Sequence, residues 1–405
     1  MILTQEFTLG QSWPFPPRVG LTPVECSDIP ITFLKCFYVI VKTDSFSSIT
    51  PLKIAMTQPL RLAFIGVDNP HGAGWRDLIA NVTSEATITS LVPMFSGTTA
   101  SLQQCYVDLP RYTSTTELIA NEQFDAAVIC LPNDEVVTVV QQLAAAGKHI
   151  LLEKPGAGRV SDAEQIKDAI DRAGVAFQSG YMFRYDQCAN RLRQMVSDGQ
   201  FGKLISIESK YVTSDVNRRG RDHYLFDEQV SYAGFFSWLA CHHLDLLLYI
   251  TDQSVKAITA RVGVFGAIPA TVEDGGTALL DMQHGALATI TGGYWVPRWA
   301  GEMHWSLRGS ERWVHWDPRK ENTGGVLEIH GPQPQWYAME DEFIAPADDT
   351  PGYGGVNGVA LLQDWYALIR GEVDRCRNTT QSMVDTVRLI ENIITASDEG
   401  RRIDC

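Results

Sequence analysis

The sequence runs to 405 residues, 45% of them hydrophobic, with 33 Lys and Arg against 48 Asp and Glu for a formal net charge of −15. That length allows a sizeable core divided over at least two domains, and the charge excludes a polyanionic partner unless a local basic patch intervenes; no run of basic residues supplies one. The eight cysteines, at 26, 36, 105, 130, 188, 241, 376 and 405, form no CxxC pair and no zinc-type Cys/His spacing, so free thiols, a reducing compartment and no metal site are expected.

Residues 1–55 read as an irregular extension, with Pro14, Pro16 and Pro17 near its start, Ser45, Ser47 and Ser48 near its end, and no sustained strand or helix period. No stretch of the chain reads as the roughly 20 apolar residues that a membrane-spanning helix needs; the nearest, Phe33 to Val41, is too short and is interrupted by Lys35. Glu6, Glu25 and Asp28 precede it and no small-residue cleavage site follows, so it does not read as a signal peptide either, and the cytoplasm is the expected location. Met56, which runs directly into a good first strand, is the expected natural start.

From Arg61 a strand-then-helix rhythm predicts a parallel sheet. Leu62 to Gly66 and Ala86 to Val92 read as strands around a helix from Ala73 to Val82. The clearest βαβ unit places a buried strand at Ala126 to Leu131, an amphipathic helix at Asp134 to Ala146 stopped by Gly147, and a strand at His149 to Leu152. A helix from Asp162 to Arg172, ending at Gly174, and a strand from Val175 to Ser179 follow. Beyond Gly180 the expected strands are Leu204 to Val212, Val255 to Val264, Gly276 to Met282, Ala286 to Gly292 and His304 to Arg308, joined by short turns. Helices at 235–250, 357–370 and Ser382 to Glu399 would pack on them. The predicted class is α/β: a Rossmann-type doubly wound parallel sheet over 56–180, then an α+β domain over 181–405 with a large, mainly antiparallel sheet.

Ligands of open parallel sheets sit at the carboxyl ends of the strands, so the strand-to-helix turns carry the candidate chemistry. The first, Gly66-Val67-Asp68-Asn69-Pro70-His71-Gly72-Ala73-Gly74, starts like a phosphate loop, but Asp68 stands where a second glycine would let the backbone approach a pyrophosphate and His71 where the third would stand. A plain turn with glycines at positive φ reads equally well. After the second strand neither an acid for ribose hydroxyls nor an Arg for a 2′-phosphate is present, which leaves NAD and NADP both open and Ser96 as the polar contact. The decisive segment is Gly147-Lys148-His149-Ile150-Leu151-Leu152-Glu153-Lys154-Pro155, with a Glu-Lys-Pro triplet at the end of a buried strand. The pair could merely mark a solvated strand rim, but a lysine there can also exchange a proton with a substrate oxygen.

Taken with DAAVICLPN, AAAGKHILLEKP, GYMFRYDQ, DGQFGKL, AGFFSWLACHHLDLLLYI and SDEGRRI, in that order from about Leu60 to Ile403, this segment resembles the Gfo/Idh/MocA family of sugar and cyclitol oxidoreductases. The resemblance implies NAD or NADP as cofactor and Lys154 as the proton donor and acceptor beside the nicotinamide. It implies that Glu153 holds the nicotinamide ribose and that Leu131, Pro132 and Asn133 line the cofactor cleft with Gly66, Val67, Asp68 and Ser96. The family's second-domain helix carries an Asp followed four residues later by a His facing the substrate. Here the His is His242, but the Asp position is Trp238, which cannot accept a proton and could instead stack on a sugar ring. His243 is expected in the core. Tyr181 and Arg184 either line the cleft or pack the domains, and one of Tyr294, Trp295, Trp299 and Trp305 could rim the pocket while the rest pack the sheet.

The function implied is hydride transfer to or from a secondary alcohol or ketone of a sugar, cyclitol or glycoside, with Lys154 and His242 catalytic. The alternatives are a cofactor-retaining glycoside lyase or hydrolase and a non-catalytic NAD(P)-binding regulator, which Trp238 and the poor glycine loop would suit. No nucleic acid or membrane partner is expected, and the resemblance implies a homo-dimer or homo-tetramer through the open face of the second sheet.

Overall fold

Short β-branched and aliphatic runs without internal Gly or Pro build the first sheet, and they are buried on both faces, as parallel strands between two helix layers must be. In the computed structural model, which describes residues 58–405 apart from 69–70, 83, 96, 221, 268, 298–300 and 333–338, the elements are β1 (Leu60–Gly66), α1 (Gly72–Asn81), β2 (Ala86–Val92), α2 (Leu102–Cys105), α3 (Thr115–Asn121), β3 (Ala126–Cys130), α4 (Val136–Ala145), β4 (His149–Leu152), α5 (Val160–Ala173) and β5 (Phe177–Ser179). All five strands run parallel in the order β2-β1-β3-β4-β5. The order reverses between β1 and β3, and in sheets of this kind the ligand crevice lies there, beyond the carboxyl ends. Gly174 closes α5 in the left-handed region at φ 64°, returning its N–H to the Ile170 carbonyl. The extension 1–55, the proposed start at Met56, and Ser96 and Trp299 all lie outside the described residues.

The second half comprises α6 (Gln187–Ser197), β6 (Leu204–Ser214), α7 (Glu228–Ser231), α8 (Cys241–Thr251), β7 (Val255–Gly263), β8 (Gly275–Met282), β9 (Leu287–Val296), β10 (Gly301–Gly309), β11 (Trp313–Asp317), β12 (Val326–His330), β13 (Met339–Ile344), α9 (Gly355–Ile369), α10 (Thr380–Glu399) and β14 (Ile403–Asp404). Nine strands form one sheet in the order β13-β12-β11-β10-β6-β9-β8-β7-β14, antiparallel except for the central β6–β9 pair, which is parallel. The expected short turns therefore hold only in part, because β6 reaches its parallel neighbour through a long excursion that carries α7 and α8. Contrary to the expectation that no stretch reaches membrane-spanning length, Glu228–Thr251, which contains the helix expected at 235–250, is long and apolar enough to cross a membrane, but 83% of its most apolar window is buried inside the protein, as in a core helix. The six described cysteines are free thiols.

The last two helices tie the halves together. Leu361, Leu362, Trp365 and Tyr366 of α9 complete the core on one face of the first sheet, and Met383, Val384 and Val387 of α10 the core on the other. Farther along α10, Leu389, Ile390 and Ile393 join the core of the second sheet. A buried ion pair reinforces this: Arg184 Nη2 meets Asp245 Oδ1 at 2.7 Å, Nε lies 2.9 Å from Oδ2, and Nη1 donates to the Arg377 carbonyl at 2.8 Å. Breaking such a pair strands a charge in the core at a cost of about 3–5 kcal/mol. Arg184→Met is expected to lower stability by about that amount in urea unfolding followed by tryptophan fluorescence; an unchanged midpoint would show that the pair holds nothing together.

Candidate functional site

The carboxyl ends of β1, β3 and β4 converge. Gly66 sits at φ 136° against β3, where a Cβ would collide with the Cys130 carbonyl, and a Cβ on Gly72 would strike the Val67 carbonyl. Val67 N and Asp68 N donate to the Cys130 and Thr98 carbonyls. The Asp68 side chain turns aside, onto Arg76 Nη2 at 2.5 Å and the Ser101 hydroxyl at 2.7 Å. Burial opposes its ionisation, but the hydrogen bonds from Ser101 and the Arg76 guanidinium outweigh burial and hold the carboxyl below its usual value. The charge at the second glycine position is thus neutralised locally. At the third, His71 itself adopts the left-handed conformation, φ 63°, that a glycine would take.

His71 also reaches across the loop. Its ring stacks on Tyr353 at 3.9 Å and its Nδ1 lies 2.8 Å from Glu153 Oε1, while Trp75 Nε1 donates to Oε2 at 2.5 Å. Burial, with the nearby Lys154 and Arg219 charges, depresses His71 well below the usual histidine range, so this contact is a hydrogen bond between neutral imidazole and carboxyl. Burial pushes Glu153 up to about 7 against the opposing Lys154 ammonium and Trp75 N–H. The sequence reading missed His71 and Trp75 as partners of Glu153; the bulky residue at a glycine position was the available signal.

Lys154 follows at 2% exposure. Its Nζ donates to the Trp238 carbonyl at 2.5 Å and lies 5.7 Å above the Trp238 ring. The expected α-helical i, i+4 pairing of positions 238 and 242 is modified, because Phe236–Ala240 is a π-helical turn that continues into α8. A π turn carries more residues than an α turn, so its carbonyls leave the ordinary ladder. Trp238 meets Lys154 through one of them. Glu273 accepts the Gly234 and Phe236 amides at the start of this segment and anchors it.

His242 is buried with Nδ1 unpartnered, its ring 4.7 Å from Phe183 and 5.9 Å from Tyr181. Burial and the Lys154 charge hold it neutral, well below the usual range. Tyr181 spends its hydroxyl on the Pro155 carbonyl at 3.3 Å, directly behind the lysine. Arg184, offered as a cleft residue, instead spends its guanidinium on Asp245 and the Arg377 carbonyl, because a buried guanidinium must satisfy its donors. His243 packs between Tyr211 and Trp305 with Nδ1 2.5 Å from the Ser209 hydroxyl. Trp305 is core, and Trp295 donates to Asp274 at 3.0 Å.

Two sequence models match the chain: the oxidoreductase family with an NAD-binding Rossmann fold over residues 60–181, and the GFO/IDH/MocA C-terminal domain over 189–315. The chain belongs to the Gfo/Idh/MocA oxidoreductase family. Inositol 2-dehydrogenase of Corynebacterium glutamicum is 27% identical over 212 residues, 51% of this chain and 58% of that protein. The chain spans about half the length of the curated relatives it matches. In structure, the aldose-aldose oxidoreductase of Caulobacter crescentus, complexed with glycerol, superposes with TM-score 0.70 at 20% identity over 86% of this chain and all of that one. A levoglucosan dehydrogenase complexed with NADH and levoglucosan gives 0.75 at 14% over 86% and 99%.

The crevice fits the family's cofactor. The backbone approaches at Gly66 and Gly72 are open only to glycine, and at the reversal of strand order, next to Leu131 and Pro132, the Asn133 Nδ2 is buried without a partner. An acid with a raised folded value lowers stability as pH climbs from its ordinary value, here 4.5, to about 7, because the unfolded state ionises first. The melting temperature is expected to fall between about pH 5 and pH 8, and Glu153→Gln to remove part of that fall. An identical fall in the variant would contradict the burial of an ionising Glu153.

Proposed function

We propose that this chain is an NAD(P)-dependent dehydrogenase or reductase acting on a secondary alcohol or ketone of a sugar, cyclitol or glycoside. The observation that carries the reading is Lys154: a buried lysine at the carboxyl end of β4 that donates to a carbonyl, with no carboxylate within ion-pair distance among the described residues. A lysine retained for stability alone would be ion-paired or solvated. A regulator that only bound the cofactor would gain nothing from it.

The β1–α1 turn, Pro132, Asn133 and Glu153 would hold the nicotinamide cofactor, which would supply the carbon that donates or accepts hydride. In oxidation Lys154 Nζ, as the neutral amine, takes the hydroxyl proton of the alcohol as hydride leaves and becomes the ammonium; in reduction the ammonium returns that proton to the ketone oxygen. The Trp238 carbonyl fixes the direction of the Nζ donors. His242, neutral and with Nδ1 free, contributes a second hydrogen bond to the substrate oxygen or its neighbour. Closed packing around Lys154 excludes water from the reacting atoms. The names of the relatives, an inositol dehydrogenase and two sugar oxidoreductases, support the substrate class.

In this reading residues 56–180 bind cofactor and 181–405 substrate, and a homo-oligomer forms through the open sheet face, where Ile205, Leu279 and Leu287 are exposed. The free thiols suit the cytoplasm. Lys154→Ala is expected to lower kcat by about 10² to 10⁴ while NADH affinity stays within a few-fold of wild type. Undiminished turnover would remove Lys154 from the chemistry, and sugar conversion without net NADH formation would replace the dehydrogenase by a cofactor-retaining lyase.

A further inference from the structure

We propose that a second small-molecule site lies apart from the Lys154 cleft, in the cavity between α6, the end of α8 and α10. It takes a small phosphate ester with a polar body, of the sugar-phosphate kind, as an effector, with Arg375 and Arg377 on the phosphate. The proposal does not rest on the reaction assigned above.

The cavity measures about 790 Å³, within the range of small-molecule sites. Arg193 of α6, Tyr249 of α8, Ser254 ahead of β7, Arg377 ahead of α10, and Ser382 and Asn392 of α10 stand in its walls. Neither Lys154 nor His242 lines it. Arg377 is held there by one nitrogen. Its Nη1 donates to Asn190 Oδ1 at 3.0 Å and to the Arg184 carbonyl at 3.2 Å, and its Cζ lies 4.9 Å from the centre of the Tyr185 ring. Its Nε and Nη2 have no partner among the described residues. A guanidinium fixed at Nη1 keeps the Nε–Nη2 edge for two parallel hydrogen bonds to an oxyanion.

Five arginines and two aspartates line the cavity. Three of the arginines are matched: Arg184 by Asp245 at 2.7 Å, Arg193 by Asp252 at 3.3 Å, and Arg388 by Glu164 at 2.8 Å and Asp385 at 3.3 Å. Both lining aspartates are spent in these pairs. Arg375 and Arg377 have no carboxylate within ion-pair distance among the described residues. Two unmatched guanidinium groups suit the near-double charge of a phosphate monoester better than the single charge of a carboxylate. The one aromatic ring among the lining residues, Tyr249, is already engaged by Arg193 at 4.5 Å and Arg184 at 5.1 Å, which argues against a nucleotide base stacked there. Gln253, Ser254, Ser382 and Asn392 offer amide and hydroxyl groups to a polyol body instead.

A ligand on Arg377 acts on the catalytic site through Arg184. The two arginines are joined reciprocally, since the Arg377 carbonyl accepts from Arg184 Nη1 at 2.8 Å, and the rest of the Arg184 guanidinium clasps Asp245, on the same helix as His242. Fixing Arg377 steadies the clasp between the two halves, so ester and cofactor strengthen each other's binding.

The test is calorimetry on the NADH-loaded protein, whose dinucleotide loop is then occupied. The probes are glycerol 3-phosphate, ribose 5-phosphate and glucose 6-phosphate, beside glycerol, ribose, glucose, glucuronate and inorganic phosphate. At least one ester is expected to bind about 10-fold or more tightly than its parent alcohol, glucuronate and inorganic phosphate. Arg377→Met, and Arg375→Met as a variant that leaves the Arg184 contacts in place, are each expected to weaken that ester about 10- to 100-fold. Arg377→Lys should keep part of the affinity. In the other direction, NADH is expected to bind about 5-fold or more tightly when the ester is present. Failure of all three esters to bind, binding untouched by both Met variants, or glucuronate or inorganic phosphate binding as well as the esters would overturn the proposal. So would an ester that leaves NADH affinity unchanged, or one that weakens it by competing at the dinucleotide loop. None of these readouts uses turnover, so failure of the effector site and failure of the dehydrogenase reading are told apart.

Discussion

The contact between the Lys154 ammonium and the Trp238 carbonyl is the constraint on which the rest of the site depends. One partner ends a strand of the parallel sheet, the other sits in a helix of the second half, and their meeting requires both halves to be held in register. A buried ammonium without a carboxylate is costly unless its donors are satisfied. The π turn at Phe236–Ala240 supplies the acceptor by displacing a carbonyl from the helical ladder.

That register comes from the end of the chain. Helix α10 lies against both cores, and Asp245, on the same helix as His242, is gripped by Arg184 at the exit of the first sheet. Asn378 extends the grip, donating to Gln178 Oε1 and the Ser179 carbonyl at 2.8 and 2.9 Å. Arg184 therefore acts on the site by fixing the angle between the helix that carries His242 and the strand end that carries Lys154.

Much of this was legible in the sequence, for identifiable reasons. Strands β2 and β4 could be bounded to the residue because both are short aliphatic runs flanked by turn residues. Helix α6 was overlooked although Asp186 caps it, accepting from Ala189 N at 2.9 Å, and Cys188, Leu192 and Met195 mark its buried face. Strands β11 and β12 escaped because His, Asp and Glu interrupt their short apolar runs, and β13 because it is nearly all exposed and acidic, without an alternating apolar face. In the site, Glu153, Lys154 and His242 were visible as motif residues. The π turn and the His71–Glu153–Trp75 contacts depend on tertiary approach of distant segments, which local spacing does not encode.

The measurement that tests the account most directly is a crystal structure of the protein with NAD and a slowly reacting substrate analogue. The account predicts Lys154 Nζ within about 2.6–3.2 Å of the reacting oxygen, still bonded to the Trp238 carbonyl, with the His242 ring on the same oxygen or its neighbour. A substrate whose reacting oxygen lies out of reach of Lys154, with the lysine still directed only at the helix, would contradict it.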